Sequence, residues 1–196
     1  MIVPDLPIVG LDVGQRNDYT AVAILNGPTL VALDRTRQQD YGDVVVRVAA
    51  LLSRPDLAEA MVVIDETGVG IAVGDMLDKE LRSMRKARQL VRVMITAGTL
   101  VSRVSDGFHV PKRDLVTATA LALESGRLRI PTALPLAGTL VEELANFKVK
   151  ISAGGHDSYG AGADWRDGNH DDMVLAVALV VWYRDRPQSS GKAWAF

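Results

Sequence analysis

Three acidic residues, Asp12, Asp65 and Asp172, stand at the ends of apolar runs rather than inside polar ones. Asp12 closes "PIVGLDVG" and Asp65 closes the run within "AMVVIDETGVG". Asp172, preceded by His170 and Asp171, opens "DMVLAVALVVWYR", which is almost wholly apolar from Met173 onward. Carboxylates gathered at one point cannot all stay ionised without a cation, because like charges raise one another's pKa. Magnesium or manganese is the natural counter-ion, since both prefer hard oxygen ligands. Two such ions about 4 Å apart can clamp the attacking and leaving oxygens of a phosphodiester.

That chemistry requires a fold that brings the three acids together. "PIVGLDVG" reads as a buried strand. "YTAVAILN" and "TLVALDR", either side of Gly27-Pro28, read as a hairpin that follows it. "YGDVVVRVAALLS" has helical spacing, and Pro55 closes it. "AMVVIDETGVG" gives a second buried strand, "GIAVGDMLDKELRSM" a helix and "QLVRVMITAG" a third short strand. "PKRDLVTATALALESGRL" predicts a helix with Pro111 near its start and Gly126 as its stop. "PLAGTLVEELANF" predicts another helix and "FKVKIS" a strand. "AGGHDSYGAGADWRDGN" reads as a Gly-rich loop or hairpin leading to the last helix. Strands alternating with helices after an opening hairpin indicate an α/β layer fold with a mixed sheet. In such a sheet the C-terminal ends of parallel strands share one edge, where α/β proteins place their sites. A last helix whose N-terminus faces that edge would add Asp172 to Asp12 and Asp65.

Taken singly, each acid has a structural reading. Asp12 before Gly14 could shape a turn, Asp65 and Glu66 could cap the following helix, and Asp171 and Asp172 could cap the last one. The joint placement favours the metal. The segment "LRSMRKARQLVR" gathers Arg82, Arg85, Lys86, Arg88 and Arg92; alone, it reads more readily as a solvated helix face.

Four motifs, "GLDVGQRNDYTAVAIL", "VVIDETGVGIAVGDML", "HVPKRDLVTATALALESGRLRIP" and "GNHDDMVLAVAL", together resemble the nuclease domain of the large terminase subunit of tailed bacteriophages, in that family's order and over nearly the whole chain. The resemblance implies a ribonuclease H-like mixed β-sheet flanked by helices on both faces. It also implies an endonuclease that cuts concatemeric viral DNA during genome packaging, using two Mg2+ or Mn2+ ions. Carried over by motif, Asp12, Asp65, Asp171 and Asp172 would be catalytic metal ligands. Of the last pair Asp172 is preferred, because related resolvases place a single acid directly before the same helix. Asp171 is left to the second ion or to a water on it. Lys112 and Arg113 would lie near the DNA backbone. The segment carrying Arg82, Arg85, Lys86 and Arg88, with Lys148 and Lys150, would hold phosphates without sequence choice. The expected partners are double-stranded DNA, the terminase ATPase domain, the small terminase subunit and the portal protein, in the cytoplasm of the infected host. No G-x-x-x-x-G-K-[ST] stretch is present, so residues 1–196 are expected to form one nuclease domain without the packaging ATPase.

Composition bounds these readings. The 196 residues suffice for one domain with a real core. With 22 Lys and Arg against 24 Asp and Glu, any DNA affinity must come from where charges sit rather than from their sum. The absence of cysteine excludes disulfides, thiolate metal sites and cysteine catalysis. No apolar run approaches the roughly 18 residues of a membrane span, and the start carries neither a basic n-region nor a small-residue cleavage site. "GVGIAVG" imitates a dinucleotide-binding turn with the wrong spacing. His109, His156 and His170 have no zinc spacing; His170 could orient a carboxylate or cap the helix, and Trp165 and Tyr159 could pack or touch DNA. Two rivals share parts of the pattern. A Holliday-junction resolvase has the same catalytic core, and the first motif also resembles the phosphate hairpin of actin-like ATPases and sugar kinases, a fold for which this chain is too short.

Overall fold

A computed structural model describes residues 6–14, 18–37, 40–86, 89–151, 157–160 and 171–186. Strand β1 (Ile8–Asp12) pairs antiparallel with β2 (Tyr19–Asn26), which pairs antiparallel with β3 (Thr29–Arg37). Gly27, at φ 54°, turns that hairpin. Helix α1 (Tyr41–Leu52) is capped by the Asp40 carboxylate, which accepts from the Gly42 N–H at 2.7 Å, and a short 3₁₀ turn at Pro55–Leu57 follows. Strand β4 (Met61–Asp65) then lies parallel to β1. Helix α2 (Gly70–Ser83) crosses back to β5 (Leu90–Thr96), parallel to β4.

Sequence reading does not foresee the next two strands. Strand β6 (Ser102–Arg103) and strand β7 (Gly107–Pro111) extend the sheet, with β7 parallel to β5. The seven strands lie in the order β3-β2-β1-β4-β5-β7-β6. Helices α3 (Lys112–Glu124) and α4 (Ala137–Asn146) follow, then the separate hairpin of β8 (Lys148–Ile151) and β9 (Asp157–Gly160), and finally α5 (Asp172–Asp185). Gly126, at φ 69°, ends the turn after α3.

The mixed sheet is covered on both faces, as a period of two in strands buried on both sides requires. Val9, Leu11, Val22, Ile24, Val62 and Ile64 pack under α1 and α2 against Val44, Val48, Leu77 and Leu81. The alternate residues Ile8, Ala21, Ala23, Val63 and Val93 face the other way and pack on Leu115, Leu140, Val177 and Leu179 of α3, α4 and α5. Helix α5 is buried nearly all round, which explains its lack of an apolar stripe. It crosses β1 at Gly10, where a Cβ would stand 2.2 Å from the Ala176 carbonyl oxygen. Only glycine allows that approach, and the approach fixes the start of α5 over the end of β1.

Candidate metal centre

The alternation that puts Ile8 and Gly10 under α5 also turns Asp12 toward it, and the alternation through Met61 and Val63 does the same for Asp65. The register Leu11↔Ile64 sets Asp12 beside Asp65 on adjacent parallel strands, whose backbones lie about 4.8 Å apart. Both acids are buried. Asp172 opens α5 above them, and Asp171 precedes it as the N-cap residue. The four carboxylates are electrostatic neighbours. Burial first, then Asp65, Asp172 and Asp171, raises Asp12 well above the ordinary carboxylate range. Burial likewise raises Asp65, against the opposing pull of hydrogen bonds from Thr67. Asp172 is pushed up to about 7 by burial, then by Asp171 and Glu143. Among the described residues, no three His, Asp or Glu side chains already converge on one metal-sized position.

Neighbouring groups fix these acids in place. The Thr67 N–H and hydroxyl both donate to Asp65 Oδ1, at 2.8 and 2.7 Å, and the Ile95 N–H donates to that hydroxyl at 3.2 Å. The Gly14 N–H donates to Thr20 Oγ1 at 3.2 Å, closing the turn after Asp12. Pro111 ends β7 at the same sheet edge, so Lys112, first residue of α3, reaches into the acids. Its Nζ lies 3.2 Å from Asp171 Oδ2, and its charge lowers the pKa of both Asp12 and Asp65. Arg113 points elsewhere: its Nη2 donates to the Thr99 carbonyl at 2.7 Å and so secures the loop after β5.

Glu143 and Arg35 belong to this neighbourhood and escape sequence reasoning. Glu143 is buried on α4, and its Oε1 lies 2.6 Å from Arg35 Nη1 on β3. Burial raises its pKa, while Arg35 and the backbone N–H groups of Met173 and Val174 oppose the rise. Asp171 makes no side-chain cap of its own, so a carboxylate from a neighbouring helix faces the amide-rich start of α5. A signal was present. Ala137, Leu140 and Glu143 share the buried stripe of α4, and an acid on an apolar stripe calls for a partner.

The basic segment lies elsewhere. Helix α2 starts beside Asp65, where a Cβ on Gly70 would meet the Asp65 carbonyl oxygen at 1.9 Å, and it runs about 20 Å to the opposite edge of the sheet. "GVGIAVG" is thus a tight helix entry. Lys86 Nζ binds the Ala58 carbonyl ahead of β4, and Gln89 donates to the same oxygen at 2.9 Å. Arg82 pairs with Asp78 at 2.8 Å, and Arg85 is exposed. The structure therefore does not bring Arg82, Arg85 and Lys86 together with the acids. Arg92 belongs to β5 and pairs with Glu66 and Asp75, a structural cluster rather than a free charge. Arg88, His156, Trp165 and His170 lie outside the described residues, as do the side chains of Lys148, Lys150 and Tyr159.

Compared by sequence, the chain matches no protein-family model and no curated protein. Compared by structure, it is similar to the large terminase nuclease of thermophilic phage G20c with bound cobalt, at 26% identity over 90% of this chain and 80% of that one, with a TM-score of 0.65. This chain has the fold of a phage large-terminase nuclease domain. The same terminase fold recurs at 13% identity in the nuclease domain of the large terminase subunit of bacterial virus Sf6, over 93% of this chain and 89% of that one, with a TM-score of 0.64. It recurs at 11% in the manganese-bound terminase nuclease domain of bacteriophage SPP1, over 94% and 89%, with a TM-score of 0.54. In this fold, the acids occupy the sheet edge that the strand ends and α5 build together.

Proposed function

We propose that the chain is a metal-dependent DNA endonuclease that cuts concatemeric phage DNA during genome packaging. The observation that carries the proposal is the cluster of Asp12, Asp65, Asp171 and Asp172 at one edge of a terminase nuclease fold. Its charge is offset in the immediate site by Lys112. The donor set fits hard divalent cations: it is all oxygen, and Asp12, Asp65 and Asp172 are held above the ordinary carboxylate range by burial first, with neighbouring acids adding to the rise at Asp12 and Asp172. Asp12, Asp65 and Asp172 would hold two ions, with Asp171 completing the second. Magnesium and manganese are the candidates, and terminase nucleases have been solved with each. When bound, the ions would supply Lewis-acid charge to the phosphodiester and lower the pKa of water.

The chain's own residues supply position. Thr67 holds Asp65 through Oδ1 and leaves Oδ2 as the oxygen that would ligate. Lys112 holds Asp171 and offers positive charge to the scissile phosphate. Hydrolysis would then join water oxygen to phosphorus, break the bond to the 3′ oxygen and leave a 5′ phosphate. In this reading residues 1–196 act as a nuclease unit with the terminase ATPase, the small subunit and the portal, in the host cytoplasm. The described residues contain no helix long and apolar enough to cross a membrane.

The test is cleavage of supercoiled plasmid and of a synthetic four-way junction with magnesium, manganese or chelator. Metal-dependent nicking and linearisation without junction preference is the expected result. Symmetric cutting of the junction alone would make the protein a resolvase, and inactivity with both metals would remove the nuclease assignment.

A further inference from the structure

The acids have Lys112 on one flank, and the other flank carries a second cationic group that the cleavage reading does not use. In the strand register Asp12 lies opposite Ala21, and Ala21 opposite Arg35. The next pair on that face is Tyr19↔Arg37. The hairpin of β2 and β3 therefore projects two residues, about 7 Å, beyond the row that holds Asp12. Tyr19 and Arg37 share the face of Asp12 and stand one and two strand spacings away, about 5 and about 10 Å.

Two guanidinium groups rest on the one tyrosine ring, Arg35 with its central carbon 4.2 Å from the ring centre and Arg37 at 4.8 Å. The positive charge of Arg35 is answered by Glu143. Among the described residues Arg37 meets no carboxylate, and it is exposed. A guanidinium stacked on a ring uses its flat face and leaves its in-plane N–H groups for an acceptor beyond. Asp18 directly precedes Tyr19 and is exposed, so the local field is not simply positive. Exposure and the lack of a carboxylate partner among the described residues, not net charge, single out Arg37.

We propose that Tyr19 and Arg37 form a phosphate clamp for the DNA strand whose scissile bond lies at the acids. The offset of about 10 Å across the strands and about 7 Å along them is about 12 Å, so the clamp would hold a backbone phosphate about three to four nucleotides from that bond, at 3.4 Å of duplex axis per nucleotide. Lys112 and Arg37 then bracket the acids along the sheet edge and orient the strand across it. The inference rests on the nuclease reading for the position of the scissile phosphate, but not for binding itself.

The test is fluorescence anisotropy of a labelled DNA duplex over a salt series in chelator, where no cutting occurs. Arg37→Ala should weaken binding about five- to tenfold and reduce the slope of log affinity against log salt by about 0.9, the loss of one phosphate contact. Tyr19→Leu should weaken binding with little change of slope, because it removes the support and not the charge. Arg54→Ala deletes the same charge at the opposite sheet edge, where Arg54 pairs with Asp56 at 2.6 Å, and should change neither quantity. Equal affinity and slope for Arg37→Ala and wild type would overturn the clamp while leaving the nuclease reading intact. The expected losses in a protein that cuts nothing with magnesium or manganese would keep the clamp and overturn the nuclease. Wild type that does not bind duplex would overturn both.

Discussion

The two edges of the seven-stranded sheet treat charge in opposite ways. At the edge where β1 and β4 end, Asp12, Asp65, Asp171 and Asp172 are neighbours with Lys112 among them, and Asp12, Asp65 and Asp172 are held above the ordinary carboxylate range, by burial first. At the edge where β4 and β5 begin, Arg54, Arg82 and Lys86 each have a nearby acid or carbonyl. One edge stores repulsion and the other dissipates it. Where acids lie close together in a buried site, either protons or a cation must relieve the repulsion. The acid edge is therefore where a cation has most to gain.

The largest effect should come from Asp12→Asn and Asp65→Asn. Each removes a proposed ligand together with a source of repulsion, so cleavage and stability should move in opposite directions. Cutting should fall by more than the roughly 100-fold that losing an outer-shell partner costs. The melting temperature in chelator should stay level or rise. Plasmid nicking and thermal melting of the same preparations check this, and near-normal cutting by either variant would remove the metal assignment.

Glu143→Ala should come next, because it strips a buried partner from Arg35 and from the start of α5. Loss of one member of a buried ion pair costs about 3–5 kcal/mol; Arg35 is 19% exposed, which argues for about 2–3 here. If Glu143 positions Asp172, manganese affinity by calorimetry should also fall about 10- to 100-fold. Glu143→Gln should recover part of both. A variant that loses stability but binds manganese as wild type would confine Glu143 to structure.

Much of this molecule is legible from sequence because its acids end strands. Apolar runs terminating in Asp12 and Asp65, and one beginning after Asp172, already imply a shared edge, and the hairpin at Gly27 sets the antiparallel start. Strands β6 and β7 are not legible, since "GFHVP" is short and punctuated by glycine and proline. Its pairing depends on Gly107 fitting where a Cβ would meet the Arg92 carbonyl oxygen at 2.1 Å, a contact made across the fold. The run from Arg82 to Arg92 misleads for the same reason. Spacing reports how many cations a segment has, whereas Glu66, Asp75 and Ala58, which answer two of them, come from elsewhere in the chain.

A pH series should expose the cost of ionising a buried acid beside other acids. Asp172 titrates near 7 folded and near 3.8 unfolded. The unfolded chain therefore gives up its proton first as pH rises. Stability from this group is complete below about pH 4 and is lost as pH climbs through 7. A cation that pairs with the ionised acids reverses the loss. Magnesium or manganese at about 100 times its dissociation constant should add about 2.7 kcal/mol, roughly 5–10 °C in a chain of this size. That gain should be full at pH 8 and much smaller at pH 5.5, where protons compete. An equal rise at both pH values would mean that the cation binds away from Asp172.

The smallest effect belongs to the opposite edge. Arg82→Glu with Arg85→Glu reverses two charges about 20 Å of helix away from the acids. If the DNA strand crosses only the acid edge, duplex affinity in chelator should fall less than twofold and the salt slope should hold. Long-range attraction is screened beyond about 10 Å at 0.1 M salt, so a larger loss at that ionic strength could not come from the general field. It would mean that duplex itself reaches the far edge and that the two edges share one binding path. The salt slope separates these outcomes, because only direct phosphate contacts release counterions and steepen it.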